Sequence, residues 1–117
     1  MLLPTGQNYS NQADKLYDGA VLAASGDSTV FVADTKDLVC HLHVTAASGT
    51  TPSLTVKFQD SGDGTNWVDI PSAAFTAATA ASNQRLVVNN VGTMVRAVAT
   101  VSGTTPSFTV TLTAVGR

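Results

Sequence analysis

From Tyr17 onward the chain consists of short apolar segments separated by turn residues. Apolar side chains stand at every second position from Leu54 to Phe58, and again from Phe108 to Ala114. A period of two is typical of a β-strand that buries one face and leaves the other in water. Turn residues recur at intervals of roughly 8–12 residues, as in sandwiches and barrels. The pattern predicts an all-β protein, a single antiparallel β-sandwich of jelly-roll or immunoglobulin-like type with about eight or nine strands.

Residues 1–16 show neither a strand period nor a helical period. They are largely polar, and Pro4 and Gly6 interrupt any regular element. Segments of this kind at a chain end are commonly arms that become ordered on a partner. The sequence therefore predicts two parts, an extended N-terminal arm over residues 1–16 and a sandwich domain over residues 17–117.

One nine-residue stretch occurs twice. SGTTPSLTV at Ser48–Val56 returns 54 residues later as SGTTPSFTV at Ser102–Val110. Each copy stands between two strand-like segments, so we expect two hairpin connections, with positive φ at the glycines and the prolines just before the outgoing strands. A spacing of 54 would align His41 with Val95, so the flanking strands do not keep the same phase. Reuse of a turn and an old duplication with diverged incoming strands both remain open.

Charge and cysteine content narrow the partners and the compartment. Charged residues are 12% of the chain and the net charge is −2, against ~25% charged residues in a typical domain. The six basic residues are dispersed, so no nucleic acid partner is expected. No apolar run approaches the ~20 residues of a membrane span, and the start lacks the basic and apolar regions of a signal peptide. A single cysteine cannot form an internal disulfide, and we expect synthesis in the cytoplasm.

The most distinctive segment is FQDSGDGTNWVDI, Phe58 to Ile70. Asp60, Asp63 and Asp69 surround two glycines, which suggests calcium, but the spacing does not place oxygens as an EF-hand loop does. The segment also resembles the Asp-box hairpin of sialidase-like propellers, although the loop is one residue short and occurs once. The preferred interpretation is a tight hairpin with Trp67 packed at the start of the return strand. Contact with calcium, or with a sugar, is the alternative.

His41 and His43 lie two apart on a predicted strand, so their side chains share one face. Such a pair can ligate zinc, but a site needs three or four ligands. Cys40 points to the opposite face, which looks like core. We therefore expect surface or interface histidines, and neither a metal nor another cofactor.

Catalytic signatures are missing from the sequence. It has no G-x-S-x-G elbow, no cysteine–histidine pair in a recognisable context, and no phosphate-binding glycine loop opening a helix. Every aspartate stands in or beside a predicted turn. The protein is not expected to be an enzyme.

Three segments together carry a family resemblance. LTVKFQDSGDGTNWVDI, an Ala/Thr-rich strand with Phe75, and MVRAVATVSGTTPSFTVTL follow one another within residues 38–115. Their DSxDGxxW hairpin and closing pair around SG-x-x-PS resemble the small β-sandwich virion proteins of tailed bacteriophages.

The resemblance implies a structural role on the capsid surface of a virion. Proteins of this kind are commonly decoration or cement proteins, which bind across capsomers and stabilise the head. The implied partners are the major capsid protein and further copies of the chain, by analogy as a homotrimer at three-fold sites. The residues expected at interfaces lie in the arm and on the domain surface: Leu2, Leu3, Pro4, Tyr9, His41, His43 and Trp67.

Two alternatives are consistent with the same features. A tail or neck subunit, at the head–tail connection, would use the same sandwich in a ring. A carbohydrate-binding module would need a cluster of exposed aromatic side chains, and the chain has few aromatics outside predicted buried positions.

Overall fold

The fold is all-β, as the sequence predicts. In a computed structural model, residues 14–33 and 35–117 are described, and they contain no helix; none therefore could span a membrane as a helix. The strands are β1 (Asp14–Leu22), β2 (Gly26–Asp27), β3 (Phe31–Val32), β4 (Leu38–Ser61), β5 (Val68–Ala74), β6 (Ser82–Val88) and β7 (Met94–Gly116).

Two long antiparallel strands organise the sheet. β4 and β7 pair from Leu38 opposite Gly116 to Ser61 opposite Met94. β1, β2 and β3 pair with the outer side of β7, while β5 and β6 pair with the outer side of β4. The four segments predicted as separate strands around the repeats are therefore two continuous strands.

The prediction that each SGTTPS copy forms a hairpin is wrong. The two copies pair with each other at the middle of β4 and β7, with Ser48 opposite Ser107 and Ser53 opposite Ser102. The glycines do have positive φ, 110° at Gly49 and 116° at Gly103. Here this geometry bends a strand instead of reversing it, because the segment after each bend pairs with the same partner strand as the segment before it.

The bend folds the sheet into two layers. A straight strand of 23 residues would measure about 75 Å, whereas the longest dimension of the molecule is 47 Å. The residues flanking β7 at its two ends both bond to one short stretch: Ala33 N donates to Thr93 O, and Arg117 N donates to Asp37 O, each at 2.8 Å. Ala33 and Asp37 are at most about 14 Å apart along the chain, so the two ends of β7 come together.

Each layer has four strand positions and buries one face. The first layer contains β1, the second half of β7, the first half of β4 and β6; the second contains β2 and β3, the first half of β7, the second half of β4, and β5. The alternating residues from Leu54 to Phe58 and from Phe108 to Ala114 are buried between the layers, as predicted. The result is a sandwich-like fold with one hydrophobic core.

The fold is internally duplicated about an approximate two-fold axis through the paired repeats. Lys15 lies opposite Thr113, and 54 residues later in each case Asp69 lies opposite Gln59. We call residues 14–61 the first repeat and residues 68–116 the second. The structure thus favours the duplication over independent reuse of a turn.

A single bulge explains why the phase of the flanking strands differs. The register of β4 against β7 shifts between Val44 and Ala46, so β4 has one extra residue there. Before the bulge, equivalent positions are 55 residues apart instead of 54. Cys40 is then equivalent to Val95, and both are completely buried.

The start of β1 differs from the predicted domain boundary. β1 begins at Asp14, and Leu16 is only 5% exposed within the core. Residues 14–16, assigned from sequence to the arm, therefore belong to the sheet. The remaining arm residues, including Leu2, Leu3, Pro4 and Tyr9, lie outside the described residues.

Candidate interaction surface

The loop between β4 and β5 is held by its own side chains. Ser61 Oγ accepts from the N–H groups of Asp63 and Gly64 at 3.2 and 2.8 Å. Asp63 Oδ1 accepts from the N–H groups of Thr65 and Asn66, both at 2.8 Å. These bonds, first that from the Asn66 N–H and then that from Thr65, hold the pKa of Asp63 well below its usual range. The loop is thus a rigid lead into β5, as the preferred interpretation of the sequence requires.

The three aspartates of this segment do not converge on a common point. The second oxygen of Asp63 accepts from Asn66 Nδ2 at 2.8 Å, and Asp60 Oδ2 accepts from Gly92 N at 2.9 Å. Asp69 bonds to Lys57 and Gln59. Within residues 14–33 and 35–117, no three histidine, cysteine, aspartate or glutamate side chains are grouped to hold a metal ion.

The charge of Asp63 should make stability depend on pH. Its folded-state pKa lies below the ~3.9 of an unfolded aspartate, so its stabilisation is fully present above that value and is lost as the pH falls towards the folded-state pKa. Asp63→Asn is therefore expected to lower the melting temperature at neutral pH, with a difference from wild type that shrinks below about pH 4. Thermal unfolding at a series of pH values measures this difference.

Asp18→Asn is the matched control, because Asp18 lies 3.4 Å from the exposed Lys15 in a weak surface pair. It should leave the melting temperature almost unchanged throughout. A difference for Asp63→Asn that stays constant down to the lowest pH would contradict the assignment of the effect to its charge.

A chain of polar contacts crosses the outer face of the second layer, and we call it the polar ladder. Arg96 of β7 lies 3.2 Å from Asp27 Oδ2 through one terminal nitrogen and donates to Gln59 Oε1 at 2.9 and 3.1 Å through two other nitrogens. Gln59 Nε2 donates to Asp69 Oδ1 at 2.8 Å, and Lys57 Nζ donates to Asp69 Oδ2 at 3.0 Å. The ladder therefore joins β2, β7, β4 and β5.

Trp67 completes this surface. The Arg96 guanidinium lies 4.5 Å from the centre of the Trp67 ring, a cation–π contact. The ring is partly exposed, and Val68 beside it is 67% exposed. Exposed charge pairs add little stability, so the main effect of the ladder is to hold tryptophan and arginine, the residues most enriched in interface hot spots, in one orientation.

The ladder also bears on sugar binding. A sugar ring stacks on a free aromatic face, and Arg96 occupies one face of Trp67. The carbohydrate-binding alternative would have to use the other face alone.

His41 and His43 lie on the outer face of the first layer, as predicted, with Cys40 buried on the opposite face. The two rings are stacked with centres 6.4 Å apart, and His43 Nδ1 lies 2.7 Å from Asn83 Oδ1. Burial raises the pKa of the Cys40 thiol to about 12. The structure therefore separates the histidines from Trp67, which belongs to the other layer, and does not bring the predicted surface residues into one site.

Sequence reasoning identified Trp67 but missed its partners. Arg96 and Gln59 come together only because β4 and β7 pair at that register, and no local pattern announces it. The exposed Val21, Val30 and Val32 were also missed, although valines at strand positions with polar neighbours are a signal of an apolar outer surface.

The comparisons with known proteins add no family to these observations. The chain matches no protein-family model, and no curated protein matches it.

Proposed function

We propose that the protein is a structural protein of a bacteriophage virion, and specifically a capsid decoration protein. It binds across the boundaries of neighbouring capsomers and opposes their separation. Because its contacts are made only when the shell has the correct spacing, binding stabilises that state of the shell by mass action.

The observation that carries the proposal is the Trp67 surface on the polar ladder. It is an open sheet face, not an enclosed cavity, and it presents a tryptophan and an arginine held in fixed positions. Such a surface is suited to contact with another protein. The DSxDGxxW segment that carries the resemblance to phage virion proteins is the same loop that positions Trp67.

The partners that follow are the major capsid protein and further copies of the chain at neighbouring sites. A homotrimer at three-fold sites remains a prediction by analogy. Quantitative mass spectrometry of purified particles tests the location, because a decoration protein should approach the major capsid protein in copy number. A few copies per particle would instead indicate a neck or tail ring, and absence from particles would contradict the proposal.

Trp67→Ala tests the surface. It should weaken binding to heads that lack the protein by about 30-fold or more, the effect of losing a hot-spot side chain. Quantitative co-sedimentation measures the affinity, and urea unfolding checks that the variant is folded. Val87→Ala, an exposed position on the first layer, is the control and should bind as wild type. Equal binding by the Trp67 and Val87 variants would exclude the polar ladder as the contact.

A further inference from the structure

The internal duplication allows two edges of one sandwich to be compared position by position. The first edge consists of β1 and β3, and the second edge consists of β5 and β6. From the strand registers, Tyr17 is equivalent to Pro71, and Val30 is equivalent to Arg85. Proline and charged residues are devices by which proteins prevent further strands from pairing with an exposed edge. The second edge has both devices at positions where the first edge has neither.

The first edge is also more apolar on its surface. Val30 is 51% exposed, Val32 is 67% exposed, and Val21 on β1 is 66% exposed. The equivalent of Val32 on the second edge is Val87, which is 41% exposed. Isolated exposed valines are ordinary, but three on one edge form a surface that a partner can bury.

A cleft opens between the layers at this first edge. It has a volume of about 300 Å³ and is lined by Lys15, Leu16, Thr29, Val30, Phe31 and Val32. Thr29 makes one long bond across it, from Oγ1 to Leu16 O at 3.5 Å. At the equivalent place on the second edge, Gln84 bonds twice to the backbone of Thr76, at 2.9 and 2.8 Å. The second edge is thus closed by its own side chain, whereas the first is open.

The N-terminal segment, residues 1–13, has the chemistry to occupy the cleft. It contains no charged residue and includes Leu2, Leu3 and Pro4. Thirteen residues reach at most about 45 Å, which is comparable with the 47 Å length of the molecule. The segment joins the sheet at Asp14, opposite Ala114 at the rim of the sandwich.

The position of the cleft favours a segment from another copy. Lys15 and Leu16, which line it, directly follow the point where the segment joins β1. To enter its own cleft, the chain would have to reverse direction within the few residues before Lys15. A segment from a neighbouring copy needs no reversal, and its backbone can pair with the open side of the edge.

We propose that the first edge is the binding site for the N-terminal segment, residues 1–13, of a second copy of this chain. Leu2 and Leu3 are buried against Val30 and Val32, and exchange of segments links the copies. This inference does not rest on the proposed function, since it concerns the purified protein alone.

Disulfide trapping between full-length chains tests the proposal. Leu3→Cys and Val32→Cys proteins are mixed under mild oxidation and analysed by non-reducing electrophoresis and peptide mass spectrometry. The native Cys40 is completely buried, so it does not compete. We expect a disulfide-linked dimer of the two variants, in at least about tenfold higher yield than from Leu3→Cys mixed with Val87→Cys, the equivalent position on the second edge.

Three results would overturn the proposal: no dimer, equal yields with Val32→Cys and Val87→Cys, or a Leu3→Cys/Val32→Cys double variant that forms only internally bonded monomers. A second measurement uses the native cysteine background. Sedimentation equilibrium should show self-association that Val32→Lys weakens by at least about tenfold and Val87→Lys does not. A chain that stays monomeric at all concentrations, or equal effects of the two substitutions, would likewise contradict it.

Discussion

Replacing Gly49 with alanine is expected to lower the free energy of unfolding by about 3 kcal/mol. A Cβ at Gly49 would lie 2.7 Å from Thr105 O and 2.9 Å from the Cα of Pro106, and the φ of 110° is one that side chains rarely adopt. Backbone atoms of the opposite repeat cannot move aside as the end of a flexible side chain can. Because the copies contact each other reciprocally, with a Gly103 Cβ 2.8 Å from Thr51 O, Gly103→Ala should have a similar effect. Urea unfolding measures both.

The control for this prediction is Gly62→Ala. A Cβ at Gly62 would meet no atom within 4 Å, and its φ is not positive. Its stability should stay within about 0.5 kcal/mol of wild type. If Gly49→Ala lost less than about 1 kcal/mol, the close crossing of the two repeats would not be a constraint on this fold.

Replacing Phe58 with alanine is expected to lower the free energy of unfolding by about 3–5 kcal/mol. Phe58 is completely buried, and its ring centre lies 5.9 Å from that of Phe75. The substitution removes the ring from the core between the layers and leaves a cavity that a close-packed sheet interior fills only in part. Since small domains are stable by about 5–15 kcal/mol, a large share of the stability depends on this one side chain. The urea midpoint should fall while the slope of the transition is unchanged.

Val68→Ala is the matched control, because Val68 is 67% exposed on the neighbouring strand β5. It should cost no more than about 0.5 kcal/mol. Comparable losses for the Phe58 and Val68 variants would mean that burial between the layers is not what stabilises the sandwich.

The strand faces show how far local pattern extends. The alternation from Leu54 to Phe58 predicted a buried face, and the pair His41 and His43 predicted an outward one; both predictions are confirmed. They succeed because a strand alternates its side chains whatever its partner is. For the candidate surface, the same reasoning identified Trp67 at the start of the return strand, but not Arg96, which comes from a strand paired at long range.

The repeats show where local pattern fails. Glycine followed by proline is the same signal for a hairpin and for a bend within a long strand. The distinction depends on which segment pairs next, and here each copy of SGTTPS meets the other across the two-fold axis. The bulge between Val44 and Ala46 is equally invisible in sequence, because it shows only as a change of phase between strands that the sequence does not align.

The sequence by itself thus determined the all-β class, the faces of the strands and the positive φ of the repeated glycines, since each depends on neighbouring residues. Only the tertiary structure decided the pairing of β4 with β7, the bend into two layers, and the contrast between a protected second edge and an open first edge. Those features arise from contacts between residues about half the chain apart, as at Gly49 and Thr105. Their free energy is gained only when both repeats are folded together.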